Sequence, residues 1–415
     1  MRYAHITGWG KFLPQRVMTN DDIAKMVDTS DTWIRERTGI GQRRIAGVDD
    51  TTASMSINAA IAALDVAGLS GIEIDLVIVA TATPEHFFPS TASIVQDALG
   101  ASHAGAFDLS AACSGFVYGL SMGADAIKAG SANAVLVIGA ETLSRVVNWK
   151  DRNTCVLFGD GAGAVVLQAS DQPGGVLSTL LRSDGSGSEL LIMPAGGSKM
   201  PITPDVLAQD LHCIQMNGRE VFRFATRAID RSLREVMHKA GWTPQQVDII
   251  VPHQANIRII EAAAKSLGVP LDKFYCNLER YGNTSAASIP IALTEAFEAG
   301  RLHPNDRVAM VGFGAGLTWA AAAVQWSQPR QFSRSKKAVS RIGYGLASVR
   351  SRARRVYRKV EDRIFGSQQP APSPSPLRPL PAKPQPNGNG NGHVNGNGKH
   401  APKPEPEKAK IESEK

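Results

Sequence analysis

Three side chains in this 415-residue sequence carry reactive or polar chemistry in settings that favour its use. Cys113 lies in "DLSAACSGF", His253 in "VPHQAN" and Asn283 in "YGNTSAAS". Read singly, each has a structural explanation: a buried small hydrophobe, a satisfied core histidine and a helix cap. Read together they are a nucleophile and two neutral hydrogen-bond donors. A cysteine in the first turn of a helix meets the positive end of the helix dipole and unpaired amides, so Cys113 is expected to favour thiolate. Its neighbours Ala111, Ala112, Ser114 and Gly115 are small and leave room for an acyl group.

An internal repeat supplies the elements that must position these groups. "AGLSGIEIDLVIVATA" from Ala67 matches "AGWTPQQVDIIVPHQA" from Ala240. "NAVLVIGAE" from Asn133 matches "DRVAMVGFG" from Asp306 at the same offset along the chain, and the segment after Asp108 matches "YGNTSAAS" after Tyr281. Two α/β halves are expected, 1–170 and 171–328, each with a central sheet. The runs "DLVIVA", "DIIVP" and "RVAMVGF" are continuously apolar, as in strands covered on both faces. "STASIVQDALG" and "ATRAIDRSLREVMHKAG" carry helical apolar spacing and end at glycine. Cys113, His253 and Asn283 then fall in strand-end or helix-start loops of the two halves, where α/β sheets gather their chemistry.

Composition narrows the function classes. The chain is 43% hydrophobic and 20% charged, ordinary for a globular protein with a large core. Its four cysteines (113, 155, 213 and 276) are far apart in sequence, which suggests a reducing compartment and no disulfide framework. "MRYAHITGWGKFLP" lacks the apolar run of a signal peptide, and runs such as "AVLVIGA" are too short to span a bilayer. A cytoplasmic location is expected. The net charge of +7 is uneven: 331–366 carries +9, 367–415 carries +3 and the remainder, 1–330, carries −5. The basicity belongs to an appendage, and nucleic acid is not an expected partner of the main body. Apolar positions from Val339 to Val360 recur at helical steps beside a dense basic face. The pattern fits an anionic membrane-surface anchor, a docking or coiled-coil helix, or a solvated charged helix. The Pro- and Asn/Gly-rich 367–415 reads as a disordered tail. No His or carboxylate cluster has metal spacing, so no metal is expected. "GFGAG" lacks the lysine of a phosphate loop, and "FGDGAGAV" reads as a tight turn between strands.

"DLSAACSGF", "HQANIRI", "GNTSAASIP" and "GFGAGLTWAAAAV" resemble motifs of the β-ketoacyl-acyl carrier protein synthase III family, and "TSDTWIRERTGI", "FPSTASIVQDALG" and "TCVLFGDGAGAVVL" extend the resemblance over about 1–328. The resemblance implies a thiolase-like fold of duplicated α/β halves in five αβαβα layers. It implies that Cys113 takes an acyl group from acyl-CoA and that decarboxylative condensation with malonyl-acyl carrier protein follows, with His253 and Asn283 holding the enolate. The oxyanion donors would be the backbone N–H groups of Cys113 and of Ala315, where members often have glycine. Trp33 and Arg152 would sandwich the CoA adenine, with Arg37, Gly218 and Asn256 along the pantetheine route. Arg223, Arg258 and Lys265, with the segment Gln254, Ala255, Asn256, Ile257 and Arg258, would dock the carrier protein. Phe88 would close the acyl pocket across a homodimer interface. No cofactor is implied, since acyl-CoA is a substrate. Two other readings stand beside this one: a related Cys-His-Asn condensing enzyme of secondary metabolism or acyl-acyl joining, and a non-catalytic partner subunit or scaffold.

Overall fold

A computed structural model describes residues 1–327 and, apart from them, Ala353. By contact the chain divides into Met1–Val360 and Glu361–Lys415. The expected basic helix 331–366 and tail 367–415 lie outside the described residues, Ala353 excepted.

The central-sheet strands of the first half are β1 (Tyr3–Phe12), β2 (Leu76–Ala80), β3 (Gly105–Leu109), β4 (Ala134–Thr142) and β5 (Asp160–Ser170), in the spatial order β1-β5-β4-β2-β3. Those of the second half are β6 (Gly175–Ser183), β7 (Ile249–Pro252), β8 (Arg307–Gly314) and β9 (Thr318–Gln325), in the order β7-β8-β9-β6. In the first sheet β2 runs parallel to β3 and β4, in the second β7 runs parallel to β8, and the remaining pairs are antiparallel. Every residue of β4 is buried, as the unbroken apolar run requires of a strand covered on both faces.

The principal helices are α1 (Asp31–Thr38), α2 (Thr52–Ala67), α3 (Thr91–Leu99), α4 (Gly115–Lys128), α5 (Gly218–Lys239), α6 (Ile257–Leu267) and α7 (Ser288–Glu298). Local chemistry sets their ends. Thr51 and Ser54 form a reciprocal capping box at α2, Ser90 caps α3, and left-handed Gly68 and Gly100 close these two helices. Helices α2 and α3 cover the outer face of the first sheet, while α5, with α6 against it, covers the outer face of the second. Helices α4 and α7 lie between and touch both sheets, which completes five αβαβα layers. The repeat is literal: β7, α7 and β8 begin at Ile249, Ser288 and Arg307, each the same interval after the starts of β2, α4 and β4 at Leu76, Gly115 and Ala134. The counterpart of β3 has shrunk to a single bridge between Phe274 and Ile250.

"FGDGAGAV" is not a turn. Asp160 begins β5, and a Cβ at Gly163 would come within 2.7 Å of the Ile291 nitrogen, so these glycines let a strand lie against α7. The same device seats the loop before α7. A Cβ at Gly139, in β4, would stand 2.1 Å from the Ala286 carbonyl oxygen, a distance only backbone movement relieves. Gly139→Ala is expected to cost at least about 2 kcal/mol of stability in urea denaturation, more than an ordinary exposed-strand substitution.

Candidate active site

Cys113 follows β3 in a short 3-10 turn, Ala112–Ser114, that runs into α4. Ala112 beside it has φ 46°, a left-handed conformation that a non-glycine residue adopts only when its surroundings enforce it. Gly314, ending β8, lies against this turn, and a Cβ there would sit 2.7 Å from the Cys113 nitrogen. His253 is the first residue after β7, anchored by its backbone N–H to the Val311 carbonyl at 2.8 Å. Its ring meets Phe313 edge-on at 5.1 Å, and its Nδ1 lies 2.6 Å from the Ser288 hydroxyl. The Ser288 O–H can donate to Nδ1, which puts the ring proton on Nε2. Asn283 is fixed by its backbone between Leu157 and Gly159. Its Oδ1 accepts the Ser285 N–H at 2.8 Å, which leaves Nδ2 as the free donor of the carboxamide. The three residues, from three loops and both halves, line one cavity of about 200 Å³.

Burial governs the charges. His253 is 1% exposed, and desolvation pushes its imidazole down to about 3, so it is neutral at physiological pH. The expectation that Cys113 favours thiolate is corrected. Burial pushes its thiol up to about 12. A helix terminus argues from the dipole alone, whereas an anion enclosed away from water loses more solvation than a dipole returns.

The chain matches the family described as 3-oxoacyl-[acyl-carrier-protein (ACP)] synthase III over residues 107–185, and its C-terminal part over residues 237–326. It is 51% identical over 325 residues to the β-ketoacyl-[acyl-carrier-protein] synthase III of Roseiflexus sp. (strain RS-1), covering 78% of this chain and 99% of that protein. The Symbiobacterium thermophilum protein of the same name is 52% identical over 328 residues, covering 79% of this chain and 99% of its own. The chain belongs to the β-ketoacyl-acyl carrier protein synthase III family. The crystal structure of 3-oxoacyl-[acyl-carrier-protein] synthase III from Aquifex aeolicus superposes with a TM-score of 0.73 at 48% identity, covering 78% of this chain and all of that one. This member is thus a condensing acyltransferase with the thiolase-like fold.

Trp33, Arg37, Arg152, Gly218 and Asn256, expected along the CoA route, line the cavity that holds Cys113, and so does Ala255 of the expected docking segment. The Arg152 guanidinium lies 4.9 Å from the Trp33 ring centroid and bonds the Asp28 carbonyl. A flat ring entering between the two needs about 7 Å, twice a van der Waals contact, so Arg152 must swing away to admit one. Asn256 caps α6 and donates to the Arg37 carbonyl at 3.0 Å, which ties two walls of the channel together. Arg223, Arg258 and Lys265 are exposed. Gln254 is buried and presents no docking surface, whereas Ile257 is half-buried. Gln254 is 1% exposed and braces Pro252, Tyr275 and Asn277, and Ile257 packs against Gly39. Sharing a segment with Arg258 argues for a surface position, but the segment turns inward before its helix starts. Phe88 does not reach the acyl side of its own chain; it is 87% exposed. A second cavity of about 120 Å³ opens beside Cys113 and Ala315, with walls from Leu143, Val146, Phe158, Leu191, Met193 and Ile214. Sequence reasoning misses these walls, although Leu191–Met193 is a short apolar run amid glycine, serine and proline. It misses Ser285 and Ser288 as well, although both stand inside "GNTSAASIP". Among the described residues, no group of three or more His, Cys, Asp or Glu side chains could hold a metal ion, and no helix is long and apolar enough to cross a membrane.

The His253 shift predicts a pH dependence of stability. The imidazole titrates near 6.5 in the unfolded chain and near 3 in the folded one, so the folded state resists a proton that the unfolded chain accepts. This contribution is fully present above pH 6.5 and is lost as pH falls toward 3, the loss reaching about 3 kcal/mol at pH 4. Urea denaturation at pH 7 and pH 4 should show His253→Gln losing less stability than wild type by that difference. An equal loss in both proteins means that His253 does not titrate in this range.

Proposed function

We propose that this chain is the initiating condensing enzyme of fatty-acid synthesis, working through Cys113, His253 and Asn283. The observation that carries this reading is their convergence on a single cavity, between an aromatic and basic mouth and an apolar side chamber. In the first half-reaction Cys113 attacks the acyl-CoA thioester. The bond from its sulfur to the acyl carbon forms, the bond to the CoA sulfur breaks, and CoA leaves as its thiol. The tetrahedral oxyanion accepts the backbone N–H groups of Cys113 and Ala315. Alanine at 315 is tolerated because the positive φ in this turn falls on Gly316, at 133°.

In the second half-reaction malonyl-acyl carrier protein enters the same channel and loses CO₂. The electron pair of the broken C–C bond passes to the thioester oxygen, where His253 Nε2–H and Asn283 Nδ2–H hold it. Neutral donors suit this task, because a cationic imidazole would bind the enolate oxygen so tightly as to blunt its carbon nucleophile. The enolate carbon then attacks the acyl-Cys113 carbonyl and releases 3-oxoacyl-acyl carrier protein. Acyl-CoA is a substrate, and no step calls for a cofactor. The exposed Arg223, Arg258 and Lys265 would steer an acidic carrier protein toward a body of like sign, so association should weaken with salt. Phe87 and Phe88, 83% and 87% exposed, support a homodimer in which a second copy covers them. We read the enzyme as cytoplasmic.

Intact-mass measurement after incubation with acetyl-CoA tests the nucleophile: wild type should gain an acetyl group and Cys113→Ala should not. His253→Ala and Asn283→Ala should still acylate, yet decarboxylate malonyl-acyl carrier protein about 10²- to 10³-fold more slowly. Normal decarboxylation by both variants would overturn the roles given to them.

A further inference from the structure

A thiol whose proton burial holds must lose that proton to act at neutral pH, and one buried carboxyl group accepts a hydrogen bond from the Ser285 hydroxyl beside it. Glu141, near the end of β4, is fully buried. Every group that bonds to it is neutral. Its Oε2 accepts the Thr83 hydroxyl at 2.6 Å and the Thr81 hydroxyl at 3.3 Å, and both oxygens accept the Ala82 N–H at 3.1 Å. Its Oε1 accepts the Ser285 hydroxyl at 3.0 Å. The Ser285 side chain is in turn close enough to Cys113 to bear on its thiol, and both line the acyl chamber. Ser285 has φ 47°, the same left-handed region as Ala112 beside the nucleophile. Two strained positions thus flank one thiol, and such strain concentrates where geometry serves chemistry. Ser285 has a single hydroxyl proton. While it donates to Glu141 it can only accept from the Cys113 S–H, so the row is poised to shift its protons in one direction.

We propose that Glu141, acting through Ser285, takes the Cys113 proton during acylation and returns it during condensation; the proposal rests on the acyl-enzyme reading above. As the sulfur bonds to the acyl carbon, the thiol proton passes to Ser285 Oγ and the Ser285 proton passes to Glu141 Oε1. The departing CoA thiolate takes its proton from solvent at the channel mouth. Glu141 stays protonated while Cys113 carries the acyl group, so no carboxylate charge opposes the enolate formed nearby. When condensation frees Cys113 as thiolate, the same two transfers run backwards and restore thiol and carboxylate. The row never holds more than one negative charge, which a site closed to water tolerates far better than two. Glu141 touches no substrate and is a positioning and relay residue.

Single-turnover acylation of Cys113 by acetyl-CoA, followed by intact mass from pH 6.5 to 9, tests this on the full chain. Wild type should show a nearly flat rate. Glu141→Gln keeps the shape but cannot take the proton. Its acylation should fall at least 100-fold at pH 7 and then climb tenfold per pH unit as the thiol ionises to solvent, while malonyl decarboxylation stays within threefold. Ser285→Ala breaks the row at its middle and should show the same slope, and the double variant should be no slower than Ser285→Ala. If Glu141→Gln does not fold, the Ser285→Ala profile decides alone. Acylation within threefold of wild type with a flat profile overturns the relay, as does a parallel loss of acylation and decarboxylation. Failure of wild type itself to acylate overturns the underlying reading instead.

Discussion

Closing water out of the point where the two halves meet is the constraint that the rest of this molecule serves. His253 is neutral because it is enclosed, and Cys113 holds its proton for the same reason. A solvated version of the site would carry a mixed population of imidazolium and imidazole near pH 6.5, and thiolate at the mercy of bulk pH. Enclosure removes that variability and makes each charge depend on a named neighbour: Ser288 for the imidazole tautomer, Ser285 for the thiol and for the Asn283 carboxamide. The cost is that buried polar groups need internal partners, and here the loops bond to one another, His253 with Ser288 and Asn283 with Ser285.

Such closure demands unusually near backbones. Gly139 meets the Ala286 carbonyl, and Gly314 meets the Cys113 amide, at distances no side chain permits. The middle layer makes this possible, since α4 and α7 both begin at the site and both touch the two sheets. Their starts, Gly115 and Ser288, are equivalent by duplication, so Cys113 and the turn after Asn283 occupy matched places in related halves. The histidine comes from the end of β7, one strand over. Symmetry brings the loops together, and divergence within them assigns the chemistry.

Polarity is graded from mouth to interior. The outer channel carries exposed Arg37 and Arg152 about Trp33, suited to a charged and aromatic ligand end. The inner chamber is walled mostly by apolar side chains, suited to an acyl chain. Cys113 stands at the boundary, where a thioester joining two such halves would put its carbonyl.

The amino-acid sequence alone determined the duplicated α/β halves, because a repeat at constant offset and continuous apolar runs are written in residue order. It also singled out Cys113, His253 and Asn283, whose small neighbours and loop contexts are local properties, and the family motifs around them. What only the tertiary structure decided depends on contacts between distant residues. Gln254 turned inward because Tyr275 and Asn277 supply partners that no local pattern announces. The Cys113 thiol rose where a helix terminus alone argues for a fall, since enclosure is set by both halves at once. Glu141 reads as one charged residue near the end of an apolar strand, and its bond to Ser285 spans 144 positions. Periodicity and composition report what a residue is and what stands beside it in the chain. Desolvation and hydrogen-bond partnership report what the fold brings near, and at this site they decide the charges.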